Sequence, residues 1–128
     1  MKLLLDTHIF IRWANEPQRL SQTALNALSD PNNDLILSVA SVWEMQIKIQ
    51  LGKMKLNRSL QALISSQQNT NGIQILSATL DHILALDTLP FHHKDPFDRL
   101  LMAQSIIESL TIVSADTKLA AYQINLIS

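Results

Sequence analysis

The sequence predicts an α/β fold: a three-layer sandwich in which helices flank a central parallel sheet of four to five strands. Two observations favour this fold. Short apolar segments with polar boundaries alternate along the chain with longer segments of helical periodicity. The clearest strand candidate, Leu3-Leu4-Leu5, is a continuous apolar run, which is typical of a strand buried on both faces of a parallel sheet.

The composition is that of a single globular domain spanning residues 1–128. Hydrophobic residues make up 47% of the chain and charged residues 16%, values that exclude a disordered protein. The absence of cysteine excludes disulfides, zinc-thiolate sites and thiol catalysis, and it fits a cytoplasmic protein. With only two glycines, the chain has no glycine-rich phosphate loop. No apolar stretch has the length of a signal-peptide core or a membrane span, so we expect no membrane association.

The first half of the chain is expected to contain two strands and three helices. In order, these are a strand at residues 3–5, a helix at 9–14, a helix to residue 28 capped by Ser21, a strand at 35–39, and a helix at 42–51 opened by Ser41 and closed by Gly52. The cap assignments follow the preference for serine at helix starts and for glycine just past helix ends. Polar turns at residues 15–18 and 30–33 separate these elements.

The second half is expected to add four helices and three strands. In order, these are a helix at 60–66 capped by Ser59, a strand at 72–76, a helix at 78–86 capped by Ser77, a helix at 96–109, a strand at 111–114, a short helix at 117–122 and a strand at 124–127. The helix after Asp95-Pro96 has the strongest start signal, because aspartate is a good cap and proline suits the first helical position.

Four acidic residues fall where a strand ends or a helix begins. Asp6 ends the first strand, Glu44 and Asp98 lie in the first turns of predicted helices, and Asp116 directly follows the strand at 111–114. In a doubly wound sheet these ends meet at the carboxyl edge, where ligands bind. We therefore expect four carboxylates around one crevice.

Carboxylates at such close range repel one another, and a divalent cation between them would remove that cost. Oxygen ligands suit Mg²⁺ or Mn²⁺, which can hold a phosphodiester, activate water and stabilise a leaving oxygen. A net charge of −1 gives no general attraction for nucleic acid, so such a partner needs a metal or a local basic patch.

Each acid also has a purely structural interpretation. Ser41 and Glu44 have the spacing of a capping box, Asp95 and Asp98 can cap or favourably charge their helix, and Asp116 can cap the last helix. For one isolated acid the structural interpretation wins. Four acids at the same predicted sheet edge favour the functional one.

Four segments together resemble the signatures of PIN-domain ribonucleases, and most closely the VapC-like toxins of type II toxin–antitoxin pairs. They are Leu3-Leu4-Leu5-Asp6-Thr7-His8, Ser38-Val39-Ala40-Ser41-Val42-Trp43-Glu44, the run from His93 to Gln104, and Val113-Ser114-Ala115-Asp116. The segments occur in the family's order and extend over nearly the whole chain, and residues 95–104 are the most specific part.

This resemblance implies a PIN-like sandwich that cleaves RNA with Mg²⁺ or Mn²⁺. The family's acidic quartet carries over to Asp6, Glu44, Asp98 and Asp116 as catalytic residues and metal ligands. Asp95 lies one helical turn earlier and could add a ligand, although its position as a cap before proline favours a structural role. The resemblance also implies a homodimer and a small antitoxin that covers or enters the active site.

Several other residues have open interpretations. Thr7, Lys48 and Arg99 are candidates for substrate contacts, and arginine among acids more often pairs with a carboxylate. A basic cluster has two interpretations of equal weight: contact with an RNA backbone, or an ordinary solvated surface. Its residues are Lys48, Lys53, Lys55 and Arg58. The adjacent His92 and His93 are expected to be exposed in a loop, and both tryptophans, Trp13 and Trp43, are expected in the core.

Two alternatives to a metal-dependent ribonuclease stay open. A phosphohydrolase of the haloacid-dehalogenase or receiver type also has an aspartate after its first strand, but the phosphatases want a second aspartate two positions on, where this chain has His8. The other alternative is a non-catalytic regulatory or binding module whose acids only cap helices.

Overall fold

Five parallel strands form one sheet in the order β3-β2-β1-β4-β5. In this computed structural model, which describes residues 1–128, the strands are β1 (Lys2–Leu5), β2 (Asp34–Ser38), β3 (Gln74–Leu76), β4 (Thr111–Val113) and β5 (Asn125–Ile127). The predicted α/β sandwich is confirmed. β1 lies at the centre of the sheet, and its three leucines are completely buried, as the continuous apolar run predicts.

Helices cover both faces of the sheet. They are α1 (Thr7–Asn15), α2 (Gln22–Ser29), α3 (Val39–Gln50), α4 (Leu60–Asn71), α5 (Leu80–Leu84) and α6 (Pro96–Glu108), and 3₁₀ turns occur at Pro17–Arg19, Ala85–Thr88 and Thr117–Ala121. Leu3 and Leu5 pack with α1 to α4 on one face, and Leu4 packs with α6 on the other. No helix has the length and hydropathy that crossing a membrane requires.

Several helix boundaries differ from the sequence prediction: α1 begins two residues earlier, at Thr7, α5 ends at Leu84, and residues 117–121 form a 3₁₀ turn. Three further differences follow from the choice of cap or from the helix end. α3 begins at Val39 because the Ser38 hydroxyl, and not that of Ser41, accepts the capping hydrogen bond, from the N–H of Ala40. α4 continues to Asn71, and Gly72 ends it at a φ of 66°, a conformation that favours glycine, instead of opening β3. α5 starts after Thr79, not Ser77.

Candidate active site

The four predicted acids occupy one edge of the sheet. Asp6 lies between β1 and α1, Asp116 follows β4, and Asp98 lies in the first turn of α6. Glu44 lies in the second turn of α3, one turn later than predicted, because α3 begins earlier. The negative charges of Glu44 and Asp98 are close enough to Asp6 to interact with it. Asp6, Glu44 and Asp98 are therefore electrostatically linked, and Asp116 is joined to them through its contact with His93.

Asp6 directly follows the central strand β1 and belongs to the acidic site. Its Oδ1 accepts a hydrogen bond from the N–H of Ile9 at 2.8 Å, so it also caps α1. Burial raises the pKa of the Asp6 carboxyl, and the nearby charge of Glu44 raises it further. Hydrogen bonds from the Ser114 hydroxyl and the Ile9 N–H, and the charge of His8, partly offset that rise.

Asp98 is the second carboxyl with a perturbed ionisation. Burial and, after it, the charge of Asp95 raise the pKa of Asp98 to about 6. A hydrogen bond from His93 lowers the pKa in part, and the charge of Asp6 raises it. A carboxyl that resists ionisation in this way gains most from a cation placed beside it.

His93 is a site residue that sequence reasoning missed. The prediction of an exposed loop histidine is wrong, since only 8% of His93 is exposed. Its Nε2 lies 2.8 Å from Oδ2 of Asp98 and 3.1 Å from Oδ2 of Asp116. We assign the ring proton to Nε2 because Nδ1 faces the N–H of Asp95 at 3.5 Å as an acceptor. His93 therefore donates a hydrogen bond to Asp98 and lies within ion-pair distance of Asp116, a role that only the folded loop reveals.

Glu44 is buried and held by two neighbours. Its Oε1 accepts a hydrogen bond from the Thr7 hydroxyl at 2.6 Å, and its Oε2 lies 2.9 Å from Nζ of Lys48. Glu44 makes no capping box with Ser41, so the capping-box interpretation of this acid is wrong. Thr7 and Lys48 were candidates for substrate contacts, and in the structure both bind Glu44 instead.

Arg99 is buried behind the site and does not face it. Its guanidinium donates to the carbonyl oxygens of Pro90 at 2.8 Å and Leu89 at 3.2 Å, with longer hydrogen bonds to those of His93 and Leu86. The interpretation of Arg99 as a phosphate clamp or a partner of a carboxylate does not fit this geometry. Arg99 instead fixes the loop that carries His93.

Tyr122 completes the support of that loop. Its hydroxyl donates to the carbonyl of Pro90 at 2.7 Å and accepts the N–H of His93 at 2.8 Å. The position of the His93 ring therefore depends on α6 through Arg99 and on the turn after β4 through Tyr122.

Asp95 and Asp116 both form caps. Oδ1 of Asp95 accepts the N–H groups of Phe97 and Asp98, as its position before proline predicts. Oδ1 of Asp116 accepts the N–H of Lys118, and its Oδ2 stays directed at His93. Asp116 thus combines a capping role with a place in the acidic site, whereas the contacts of Asp95 are those of a cap.

The tryptophans differ from each other in exposure. Trp13 is partly buried against the core, but Trp43 is 62% exposed, so its assignment to the core is wrong. The Trp43 ring lies edge-on to that of Phe97, with 5.4 Å between ring centroids. These two residues directly precede Glu44 and Asp98 in the chain, and their contact joins the N-terminal parts of α3 and α6.

The donor set fits a divalent cation. Carboxylate oxygens of Asp98 and Asp116 lie within 4.8 Å of each other beside His93, and no lysine or arginine pairs with either aspartate. Burial is the main cause that raises the pKa of Asp6 and of Asp98, and neighbouring carboxylates raise both further, so a cation beside them would favour their charged forms. Carboxylate oxygens are the ligands that Mg²⁺ and Mn²⁺ prefer.

The fold and this site define an α/β protein with a cluster of carboxylates at the carboxyl edge of a parallel sheet. The family model described as PIN domain matches residues 3–125, and the chain therefore belongs to the PIN domain family. The chain is similar to Ribonuclease VapC22 of Mycobacterium tuberculosis (strain ATCC 25618 / H37Rv), with 26% identity over 122 residues, which cover 94% of this chain and 92% of the relative.

Solved structures share the fold over almost the whole chain. VapBC2 from Rickettsia felis, bound to a promoter DNA fragment, has a TM-score of 0.75 at 18% identity and covers 99% of this chain and 98% of its own. FitAcB from Neisseria gonorrhoeae has a TM-score of 0.63 at 19% identity, covering 98% and 96%. VapBC-1 from nontypeable Haemophilus influenzae has a TM-score of 0.64 at 17% identity, covering 100% and 98%.

Proposed function

We propose that this protein is a metal-dependent endoribonuclease and the toxin of a toxin–antitoxin pair. The observation that carries the proposal is the group of four carboxylates at one sheet edge of a PIN-domain chain. The curated relative is named a ribonuclease, and the solved structures include toxin–antitoxin complexes, which supports the same activity and partner class. The substrate is RNA, and the reaction is hydrolysis of a phosphodiester bond.

Asp6, Glu44, Asp98 and Asp116 would hold Mg²⁺ or Mn²⁺. The bound cation would supply positive charge beside the phosphate. It would also lower the pKa of a water molecule bound to it, so that a nucleophile is available at neutral pH. The chain contributes fixed ligands: Asp6 is held by the N–H of Ile9, and Glu44 is held by the Thr7 hydroxyl. Ligands that are already oriented lose little conformational freedom on binding the cation.

His93 orients two of the four acids. The ring donates its Nε2–H to Asp98 and keeps the same nitrogen 3.1 Å from Asp116, so it links α6 to the segment after β4. The hydrogen bond also leaves the second oxygen of Asp98 free for another partner. We therefore assign His93 a positioning role, supported in turn by Arg99 and Tyr122.

The proposal includes two protein partners. A small antitoxin would bind the chain and cover the acidic site, a proposal that a toxin–antitoxin complex from Klebsiella pneumoniae among the structural neighbours supports. The active form would be a homodimer. We place the protein in the cytoplasm, where it would meet both its RNA substrate and a newly made antitoxin.

The proposal is tested by incubating the purified protein with a mixed RNA panel in Mn²⁺ and, separately, in EDTA. We expect internal cleavage in Mn²⁺ and none in EDTA. Growth arrest on expression in cells, relieved by the protein encoded by the adjacent gene, would support the toxin role. Equal cleavage in EDTA and Mn²⁺ would contradict metal dependence.

A further inference from the structure

Trp43 is a largely exposed aromatic residue that directly precedes Glu44 in α3. The exposed indole offers a large apolar face that a planar ligand can cover. Its backbone is fixed, because the next residue, Glu44, is buried and bonded to Thr7 and Lys48. Contact with Phe97 at one edge leaves most of the indole accessible.

We propose that Trp43 is a stacking platform for a nucleobase of single-stranded RNA, next to the phosphate that is cleaved. This inference rests on the proposed ribonuclease function and adds a residue that positions its substrate. Trp43 adjoins Glu44, and Phe97 adjoins Asp98, so a base on the indole would place its own phosphate close to the carboxylates. Stacking on an aromatic ring accepts any base, because every base has a π-face.

The charge of the adjoining segment favours RNA over a protein partner. Residues 45–80 contain no aspartate or glutamate and hold four basic residues, namely Lys48, Lys53, Lys55 and Arg58. The last three are exposed and form no ion pair. α3 connects Trp43 to this basic segment over about 12 Å, given the helical rise per residue. Phosphates on either side of a stacked base would be attracted along this path.

Fluorescence gives a direct test, because the chain has only two tryptophans. Trp13→Phe leaves Trp43 as the single indole, and Trp43→Phe leaves Trp13. Each variant is titrated with short single-stranded RNA in EDTA, while the anisotropy of labelled RNA reports binding independently. We expect quenching in Trp13→Phe and none in Trp43→Phe. RNA binding without quenching of Trp43 would overturn the proposal, as would the absence of RNA binding.

Substitutions separate stacking from general hydrophobicity. Trp43→Leu keeps an apolar side chain without a π-face and should weaken RNA binding roughly tenfold, whereas Trp43→Tyr should stay within about threefold of the wild type. Leu51→Ala is the matched control, since Leu51 is equally exposed, at 62%, at the other end of α3. Circular dichroism checks that each variant is folded. Wild-type affinity in Trp43→Leu would overturn the proposal.

Sedimentation and RNA cleavage distinguish a failure of the stacking proposal from a failure of the proposed nuclease function. If Trp43→Leu alters sedimentation but not RNA affinity, a second copy of the chain covers this surface and the proposal fails. If the protein cleaves RNA in Mn²⁺ and Trp43→Leu leaves KM unchanged, the nuclease stands and the stacking fails. RNA-dependent quenching without cleavage in Mn²⁺ would instead support stacking and remove the nuclease.

Discussion

Nε2 of His93 lies 2.8 Å from Oδ2 of Asp98, which links the loop before α6 to the first turn of that helix. The same nitrogen also reaches Asp116, so one imidazole connects two acids that come from different parts of the chain. Arg99 and Tyr122 hold the backbone of that loop in place. The acidic site therefore depends on a polar support that lies behind it, and this support can be tested separately from the acids.

We expect His93→Gln to bind Mn²⁺ about 10-fold to 100-fold more weakly than the wild type, because loss of a hydrogen bond to metal-binding carboxylates typically has such an effect. Calorimetric titration of Mn²⁺ into the metal-free protein measures the change. His92→Gln is the matched control, since His92 is the exposed neighbour in the same loop. Equal Mn²⁺ affinity in His93→Gln and the wild type would show that His93 does not position the acids.

We expect Asp98→Asn to abolish cleavage yet stabilise the metal-free protein at pH 7 by about 1–2 kcal/mol, because solvent screening of this partly exposed carboxyl reduces the roughly 3 kcal/mol that its pKa rise represents. The pKa of Asp98 is raised from 3.8 to about 6, so the folded state binds its proton more tightly than the unfolded state. The destabilising contribution of Asp98 is therefore absent below about pH 4 and complete above about pH 6.

Urea unfolding in EDTA at several pH values tests this sign. The difference in free energy of unfolding between Asp98→Asn and the wild type should grow as pH rises from 4 to 6. Asp34→Asn removes an exposed acid at the start of β2 and should show no such growth. A difference that is constant with pH would contradict the raised pKa of Asp98.

We expect Thr7→Val to lower the cleavage rate about tenfold while the fold is retained. The substitution removes the hydroxyl that donates to Glu44 at 2.6 Å but keeps the side-chain volume. Thr7→Ser keeps the hydroxyl and should retain most of the activity. Single-turnover cleavage rates measure the effect, and a valine variant as fast as the serine variant would remove Thr7 from the positioning residues.

We expect Arg99→Lys to destabilise the protein by about 2–3 kcal/mol, because one ammonium cannot replace a guanidinium that donates to several carbonyl oxygens. Arg12→Lys is the control, since Arg12 is partly exposed and forms no ion pair. Urea unfolding of both variants gives the comparison. Equal free energies of unfolding for the two would mean that the Arg99 hydrogen bonds contribute little.

Local patterns in the sequence were sufficient for most of the fold. Buried strands such as β1 are continuous apolar runs, and the Asp95-Pro96 start of α6 is a local signal that depends on adjacent residues alone. Boundaries with competing caps were harder to place. Ser38 and Ser41 are both reasonable caps for α3, and only packing decides, because Ser41 is buried within the helix.

The acids of the site were predictable because they sit at element ends, which a sequence pattern can locate. The support behind them was not. His93 is buried because Arg99 and Tyr122 bond to the backbone of the loop that carries it. Tyr122 lies 29 residues further along the chain. The exposure of Trp43 likewise depends on how the starts of α3 and α6 meet, which no local pattern encodes.

The measurement that tests the central claim most directly is RNA cleavage in Mn²⁺ by the wild type and by Asp6→Asn, compared side by side. Asparagine is as good a helix cap as aspartate, so the variant should keep α1 and the fold while it loses one carboxylate charge. We expect the wild type to cleave RNA and the folded variant to be inactive. Cleavage by Asp6→Asn at the wild-type rate would contradict the assignment of the acidic group as the active site.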